Sequence, residues 1–438
     1  MNQPDTQLYA AHIEELQQRY ASALEKCRLN AVVVAAGTPA LHFEDDQHVP
    51  FKASPHLLQW GPLTEHPDAI LSYEPGQQPQ LLIYAPADYW HLCAPVPELI
   101  ANGPIQVKLV SDGMDLVRHV KAMPARTAFI GEIRQREDSF GLRRINPKKL
   151  IEQLHYQRSY KTAWEVANIE QANRLGARGH AAAENCFRDG GSEYDIQSAF
   201  RQACGATDNE LPYPAIVATN EHAATLHYQR LDRGSRKNQS LLIDAGANCN
   251  AYASDITRCH TSNSEFADLI DAMHVLQQDL CTQVAAGIDF RELHLAAHRH
   301  IATLLINSNI VTSSVAETID TGISRAFFPH GLGHFLGLQV HDVGALLTGS
   351  GKESARPDTD PYLRLTLLLE PGHVITMEPG LYFIENLLAP LRAGPQQHNI
   401  NWQRVDDLAR FGGIRIEDNL HITASGNTNL TREAFAAL

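Results

Sequence analysis

At 438 residues, the chain is long enough for two or three domains and for a large core that needs no staples. It is 44% hydrophobic and 20% charged with a formal net charge of −14, which excludes a basic nucleic-acid-binding face and leaves carboxylates for cations to neutralise. No run approaches the ~18 apolar residues of a membrane span, and MNQPDTQLYAAHIEEL lacks the basic-then-apolar pattern of a leader. Seven cysteines, an odd number with no CxxC pair, read as reduced thiols of a cytoplasmic protein.

Residues 8–28 carry Leu16, Tyr20 and Leu24 at helical spacing. AVVVAAG (31–37), QLLIYAP (80–86) and TAFIGE (127–132) follow as short apolar strands between helical segments, which predicts a wound sheet with covering helices. Near 145–162, INPKKL and QRSYKT break the pattern with proline and basic residues. The expected division is an N-terminal α/β domain of residues 1–155 and a C-terminal domain of residues 156–438. Val166, Ile169, Asn173 and Gly176 space out one helical face from 162 to about 187, and Ser192 stands as the N-cap of the next helix. Longer helical stretches run 265–286, with Phe266, Leu269, Met273, Leu276, Leu280 and Val284 on one side, and about 289–306. Residues 347–360, LTGSGKESARPDTD, read as an exposed loop. Strand signals otherwise dominate the rest: SLLIDAG, AYASDITR, HVITMEPG and GGIRIED. Helices followed by strands predict an antiparallel α+β domain. No repeat of solenoid length occurs.

Four of these segments carry chemistry. In SLLIDAGANCNAYASDITR, Asp244 shares a strand face with Leu242, and Asp255 stands on a second strand with Ala253 and Thr257. A hairpin would set the two carboxylates side by side, where one protonates unless a cation lies between them. Two unrelated strand-end aspartates is the competing reading. FFPHGLGHFLGLQVHD offers His330, His334 and His341. Gly331 and Gly333, and the lack of a glutamate after His330, make a helical zinc-protease motif a poor fit. The glycines instead suggest backbone packed closely around a site. Glu378 ends the apolar strand of HVITMEPG, and a buried carboxylate needs a partner. In FGGIRIEDN, Arg415 and Glu417 share one face and Ile414 and Ile416 the other, as in a metal site or a salt-bridged surface strand. Four carboxylates and an imidazole form an oxygen-rich set that suits two ions such as Mn2+. Two such ions could make a bridging hydroxide available near neutral pH, which is a hydrolase inventory.

At these residues the sequence resembles the pita-bread metallopeptidases, the family of methionine aminopeptidase, aminopeptidase P and prolidase. Asp244, Asp255, His334, Glu378 and Glu417 match its five metal ligands in order. YAAHIEELQQRYASALE, FEDDQHVPFKASPH, NEHAATLHY, LLAPLRAG and FGGIRIEDN extend the likeness to the bacterial Xaa-Pro dipeptidases, or prolidases, some also called organophosphorus acid anhydrolases. One departure is Leu367, where prolidases often carry a second basic residue after the arginine of LRLTLLLEPG.

The resemblance implies a creatinase-like N-terminal domain, a pita-bread catalytic domain, a homodimer and two divalent ions per subunit. A metal-bridging hydroxide would attack the Xaa-Pro carbonyl, Glu378 would shuttle the proton, and His330 and His341 would steady the oxyanion. His227, Arg364, Arg415 and Tyr213 are the implied substrate-binding residues. Arg364 is the first choice to clamp a dipeptide's terminal carboxylate, and Arg415 either does so or orients Glu417. Asp45 would bound the amine pocket of a neighbouring subunit, or else belong to a solvated acidic turn. A side activity on organophosphate triesters follows from the same chemistry. The alternatives are aminopeptidase P-type cleavage of longer Xaa-Pro peptides and a metal-free binding relative of the fold.

Overall fold

The computed structural model describes residues 6–134, 136–234, 239–349 and 351–438. The first five residues, and Ser350 of the loop expected over 347–360, lie outside the described residues. Packing divides the chain into two units: residues to Asn168 with the segment Gly349–Gly351, and Ile169–Thr348 with Lys352–Leu438.

The first unit opens on the helix Thr6–Lys26, which buries Tyr9, Ile13, Leu16, Tyr20 and Leu24 on one stripe. Six strands form its sheet: β1 (Ala31–Ala35), β2 (Ile70–Tyr73), β3 (Gln80–Tyr84), β4 (Gln106–Val110), β5 (Thr127–Ile130) and β6 (Arg144–Ile145). Their order is β4-β3-β2-β1-β5-β6. β1 runs parallel to β5 and antiparallel to β2, so the sheet is mixed. Every residue of β1 is buried, which explains its continuous apolar run.

In the second unit, Ser192 caps the helix Glu193–Cys204 through a reciprocal box with Asp195. Gly205 ends that helix at φ 70°. β7 (Ile216–Thr219), β8 (Ser240–Asp244), β9 (Asn248–Cys249), β10 (Tyr252–Ala253) and β11 (Thr257–Thr261) come next. β8 lies between β7 and β11, antiparallel to both, and β9 and β10 form a small hairpin. The expected strand AYASDITR is therefore two strands, and Asp255 stands in the break between them. β10 follows one partner and β11 another, so the chain turns at the aspartate, a residue that strands disfavour.

The helices Ser264–Gln283 and Phe290–Asn307 cover this sheet with Leu269, Met273, Leu280, Phe290, Leu293 and Ile301, all in one buried cluster. β12 (Val374–Met377), β13 (Gly380–Tyr382), β14 (Gly413–Arg415), β15 (Asp418–Thr423) and β16 (Gly426–Asn429) complete the unit. β12 pairs with β15, and β13 with β14. Isolated bridges join Thr257 to Glu417 and Phe335 to Ile375, tying the aspartate, histidine and glutamate segments into one surface. Asp360, at the end of the loop expected to be exposed, is instead buried at 8% exposure because it meets an arginine and two histidines. Among the described residues, no helix is long and apolar enough to cross a membrane.

Candidate metal centre

The site is built from strand ends. Asp244 closes β8 opposite Thr257 on β11, so the two strands carry one carboxylate and one hydroxyl to the same edge. Asp255 enters two residues earlier, and Asn419 holds its backbone by accepting from the Asp255 amide at 3.0 Å and donating to the Asp255 carbonyl. Tyr213 joins the pair, its hydroxyl lying 2.7 Å from Asp244 Oδ1 and 2.6 Å from Asp255 Oδ1. Arg415 reaches Asp244 Oδ2 at 2.6 Å, and Thr257 donates to Glu417 Oε2 at 2.6 Å.

His334 is brought in by the glycines around it. A Cβ at Gly333 would stand 2.1 Å from the Thr376 carbonyl oxygen, so only glycine lets this segment lie against β12. Thr376 then donates its amide to the His334 carbonyl at 2.9 Å and accepts from the His334 amide at 3.1 Å. The His334 Nδ1 donates to the Phe335 carbonyl at 2.9 Å, which turns Nε2 into the site. There it faces Asp255 Oδ2 at 3.3 Å and Glu378 Oε1 at 3.5 Å. Asp255, His334 and Glu417 each bring one ligand atom within 4.8 Å of the others.

The electrostatics show what this arrangement lacks. Burial, then Asp255, Glu378 and Asp244, raise the Glu417 carboxyl well above its usual range. Glu378 is pushed up to about 7 by burial, against the pull of His334 and Arg415 and with the help of Asp255 and Asp244. Asp244 is raised too, by burial first, although Arg415 opposes it. Asp255 alone is lowered: burial opposes this, but the neighbouring His334 ring and the Tyr213 hydroxyl outweigh it. Buried like charges around an imidazole lone pair fit a cation site: divalent ions satisfy oxygen and nitrogen donors that otherwise repel one another. Asp244, Asp255, His334, Glu378 and Glu417 are the residues that would hold them.

The remaining residues expected at the site fall into three groups. His330 and His341 flank the cluster. His330 donates Nδ1–H to the Gly331 carbonyl at 2.9 Å, and its Nε2 accepts from the Tyr382 hydroxyl at 2.8 Å. Burial, with Arg415 nearby, drops it to about 3, so it is neutral. His341 sits edge-on to His334 with ring centroids 4.5 Å apart, and is lowered to about 4 by partial burial, His334 and Arg364. His227 and Arg364 are exposed, and each is close enough to His341 to lower it by its charge. Arg415 is buried at 5% and tied to Asp244, Thr257 and Tyr382. Asp45 belongs to the first unit, exposed on a turn where it accepts from the Gln47 amide.

Several working residues gave no sequence signal. Tyr382 links Arg415 to His330 through its hydroxyl, but in the sequence it is one more strand aromatic. Glu193 reads as an ordinary first-turn acid. It is nonetheless 1% exposed and accepts from the Thr219 amide and hydroxyl, His222, Tyr228 and the Asp232 amide. That node holds the segment carrying His227.

The metallopeptidase family M24 matches residues 167–424, and the N-terminal domain of Xaa-Pro dipeptidase matches residues 7–156. An Xaa-Pro dipeptidase of Aeromonas hydrophila is 42% identical over 98% of this chain and 99% of its own length. One from Shewanella baltica is 41% identical over 97% of each. Among solved structures, an aminopeptidase P of Escherichia coli superposes with a TM-score of 0.71 at 22% identity, covering 97% of both chains. The Pseudomonas aeruginosa aminopeptidase PepP gives 0.72 at 22%, covering 100% of this chain and 99% of that one. Fold and relatives define a metallopeptidase with a pita-bread catalytic domain behind a separate N-terminal domain. The chain belongs to the metallopeptidase family M24 and is a metal-dependent peptidase.

Proposed function

We propose that the enzyme cleaves Xaa-Pro dipeptides at a dinuclear site held by Asp244, Asp255, His334, Glu378 and Glu417, with Mn2+ as the working ion. The observation that carries the site is His334 Nε2 facing Asp255 and Glu378 inside a buried ring of carboxylates. The substrate class is supported by relatives named Xaa-Pro dipeptidase that align from end to end. When bound, two divalent ions supply Lewis acidity at the scissile carbonyl and lower the pKa of water at the site.

The protein's own residues do the rest. Glu378, with its carboxyl near the middle of the pH range, takes a proton from the attacking water and returns it to the departing proline nitrogen. Neutral His341 offers an N–H to the developing oxyanion, and His330 joins it by releasing its Nδ1–H from the Gly331 carbonyl, its Nε2 being occupied by Tyr382. Tyr213 orients the two aspartates. Arg415, with each of its three nitrogens bonded to Thr257, Tyr382 or Asp244, orients the ligand strands, so Arg364 remains to clamp the substrate's terminal carboxylate and His227 to line the pocket. A longer peptide would leave that guanidinium unpaired, which is how a dipeptidase rejects it. The same site accommodates organophosphate triesters as a side activity.

The division at 1–155 and 156–438 is supported by the extents of the two family matches, although the linking segment to Asn168 packs with the first unit. We also propose a cytoplasmic homodimer. Phe43, two residues from Asp45, and the segment of Tyr89, Trp90 and Leu92 are 90%, 86%, 75% and 99% exposed, apolar surface of the first unit that a second copy could cover. No disulfide joins the described cysteines, in keeping with a reducing compartment.

The test is a panel of Gly-Pro and Gly-Pro-Gly with Mn2+. Cleavage of the dipeptide alone, lost in Glu378→Ala protein that still folds, is the expected result. Faster cleavage of the tripeptide would favour aminopeptidase P-type trimming, and undiminished turnover by the variant would remove Glu378 from the mechanism.

A further inference from the structure

The second unit buries another cluster of ligand-type residues, apart from the five just described. His294 and His298, one turn apart on the helix Phe290–Asn307, aim Nε2 at Asp360 Oδ1 from 3.4 and 3.7 Å. By residue type and spacing the three could hold a cation. Asp360, however, already has its counter-charge. Arg325 grips it as a fork, Nε to Oδ1 at 2.7 Å and Nη2 to Oδ2 at 3.1 Å, while Thr359 donates to Oδ2 at 2.7 Å. A metal at Oδ1 would meet the guanidinium at hydrogen-bond distance. The cluster is therefore an ion pair flanked by imidazoles, and His298, lowered to about 3 by burial, His294 and Arg325, adds no charge.

What the pair holds is a loop. Asp360 donates its amide to the Pro357 carbonyl at 2.9 Å and accepts from the Leu363 amide at 3.1 Å. Arg356 Nε donates to the Leu363 carbonyl at 2.7 Å. Ser354 and Thr366 close the base, each hydroxyl donating to the other's carbonyl at 3.0 and 3.1 Å. On the opposite side the backbone of 362–364 crosses Gly331, where a Cβ would lie 3.0 Å from Leu363 Cα and 3.3 Å from the Arg364 amide nitrogen. The loop is thus pinned at Arg325 on one side and laid against the residue next to His330 on the other. Arg364 follows directly, exposed and within electrostatic reach of His341.

We propose that the Arg325–Asp360 pair, buried at the aspartate, is a positioning device that fixes Arg364 for the substrate's terminal carboxylate and so sets the preference for dipeptides. The inference rests on Arg364 being that clamp. A clamp on an untethered polar loop would have to be ordered at each binding event, and a shift of about 1 Å in a charged contact can cost about 100-fold in rate.

The experiment measures kcat and KM of the Mn2+-loaded enzyme for Gly-Pro and for glycyl-prolinamide, which lacks the carboxylate. Asp360→Asn removes the charge, and Arg325→Lys keeps a cation but loses the fork, so the second variant serves if the first folds poorly. Each should raise KM for Gly-Pro by about 10-fold with kcat within about 2-fold, and leave the amide unchanged. Neither should add to the defect of Arg364→Ala. Equal losses on both substrates, or losses that add to Arg364→Ala, would overturn the proposal while the clamp stands. An Arg364→Ala enzyme that treats both substrates as before would overturn the clamp reading, and this inference with it. A metal ion that is lost on Asp360→Asn would also contradict it, by making the cluster a cation site.

Discussion

Glu378 and Glu417 owe their displaced carboxyl pKa values to one cause, burial among like charges, and a measurable pH effect follows. An unfolded glutamate titrates near 4.5, and folded Glu378 near 7. Between those values the folded, chelator-stripped chain keeps a proton that the unfolded chain has released. The stability from this group is complete below about 4.5 and disappears as the pH rises through about 7. Metal binding must expel that proton. Mn2+ should therefore raise the melting temperature more at pH 8 than at pH 6, measured against the stripped protein at each pH. A shift of equal size at both values would mean that the two glutamates do not surround the ion. Asp244 and Glu378 were legible in the sequence because charge at the end of an apolar strand is conspicuous, whereas Asp255, His334 and Glu417 joined them as a proposed set through the family resemblance. Tyr382, Thr257 and Glu193 were not, since a hydroxyl or a first-turn acid is ordinary until a distant strand lands beside it.

The elements explain how those side chains are held. Gly333 is the tightest point, because the segment bearing His334 must lie on β12 with no side chain between. Gly333→Ala should cost about 2 kcal/mol or more, or prevent folding, since the obstructing atom is backbone and cannot move aside. Gly113→Ala is the control: no atom lies within 4 Å of its added Cβ, and its melting temperature should stay at the parent value. Equal behaviour of the two variants would remove the close-approach argument. Strand detection followed burial. β1, β3 and β5 declare themselves by apolar runs, whereas β4, QVKLV, is largely exposed, and β6 has only two residues. Pairing, not propensity, breaks AYASDITR at Asp255, and pairing is a long-range property that a single segment does not encode.

At the scale of the whole molecule, the two units could be expected from the interruption near 145–162 by Pro147 and basic residues, and the helices of the second unit from their periodicity. The mixed direction of the first sheet could not, because β2 and its antiparallel pairing lie in a stretch with little alternation. The proposed metal centre would draw its ligands from segments that span residues 244 to 417, so emptying it should loosen contacts across the second unit. The most direct check is to strip the protein with a chelator and titrate Mn2+ back while following proline release from Gly-Pro. The account predicts no turnover at the start and a rise that levels off at two ions per chain. Turnover that survives stripping, or a plateau at a single ion, would contradict it.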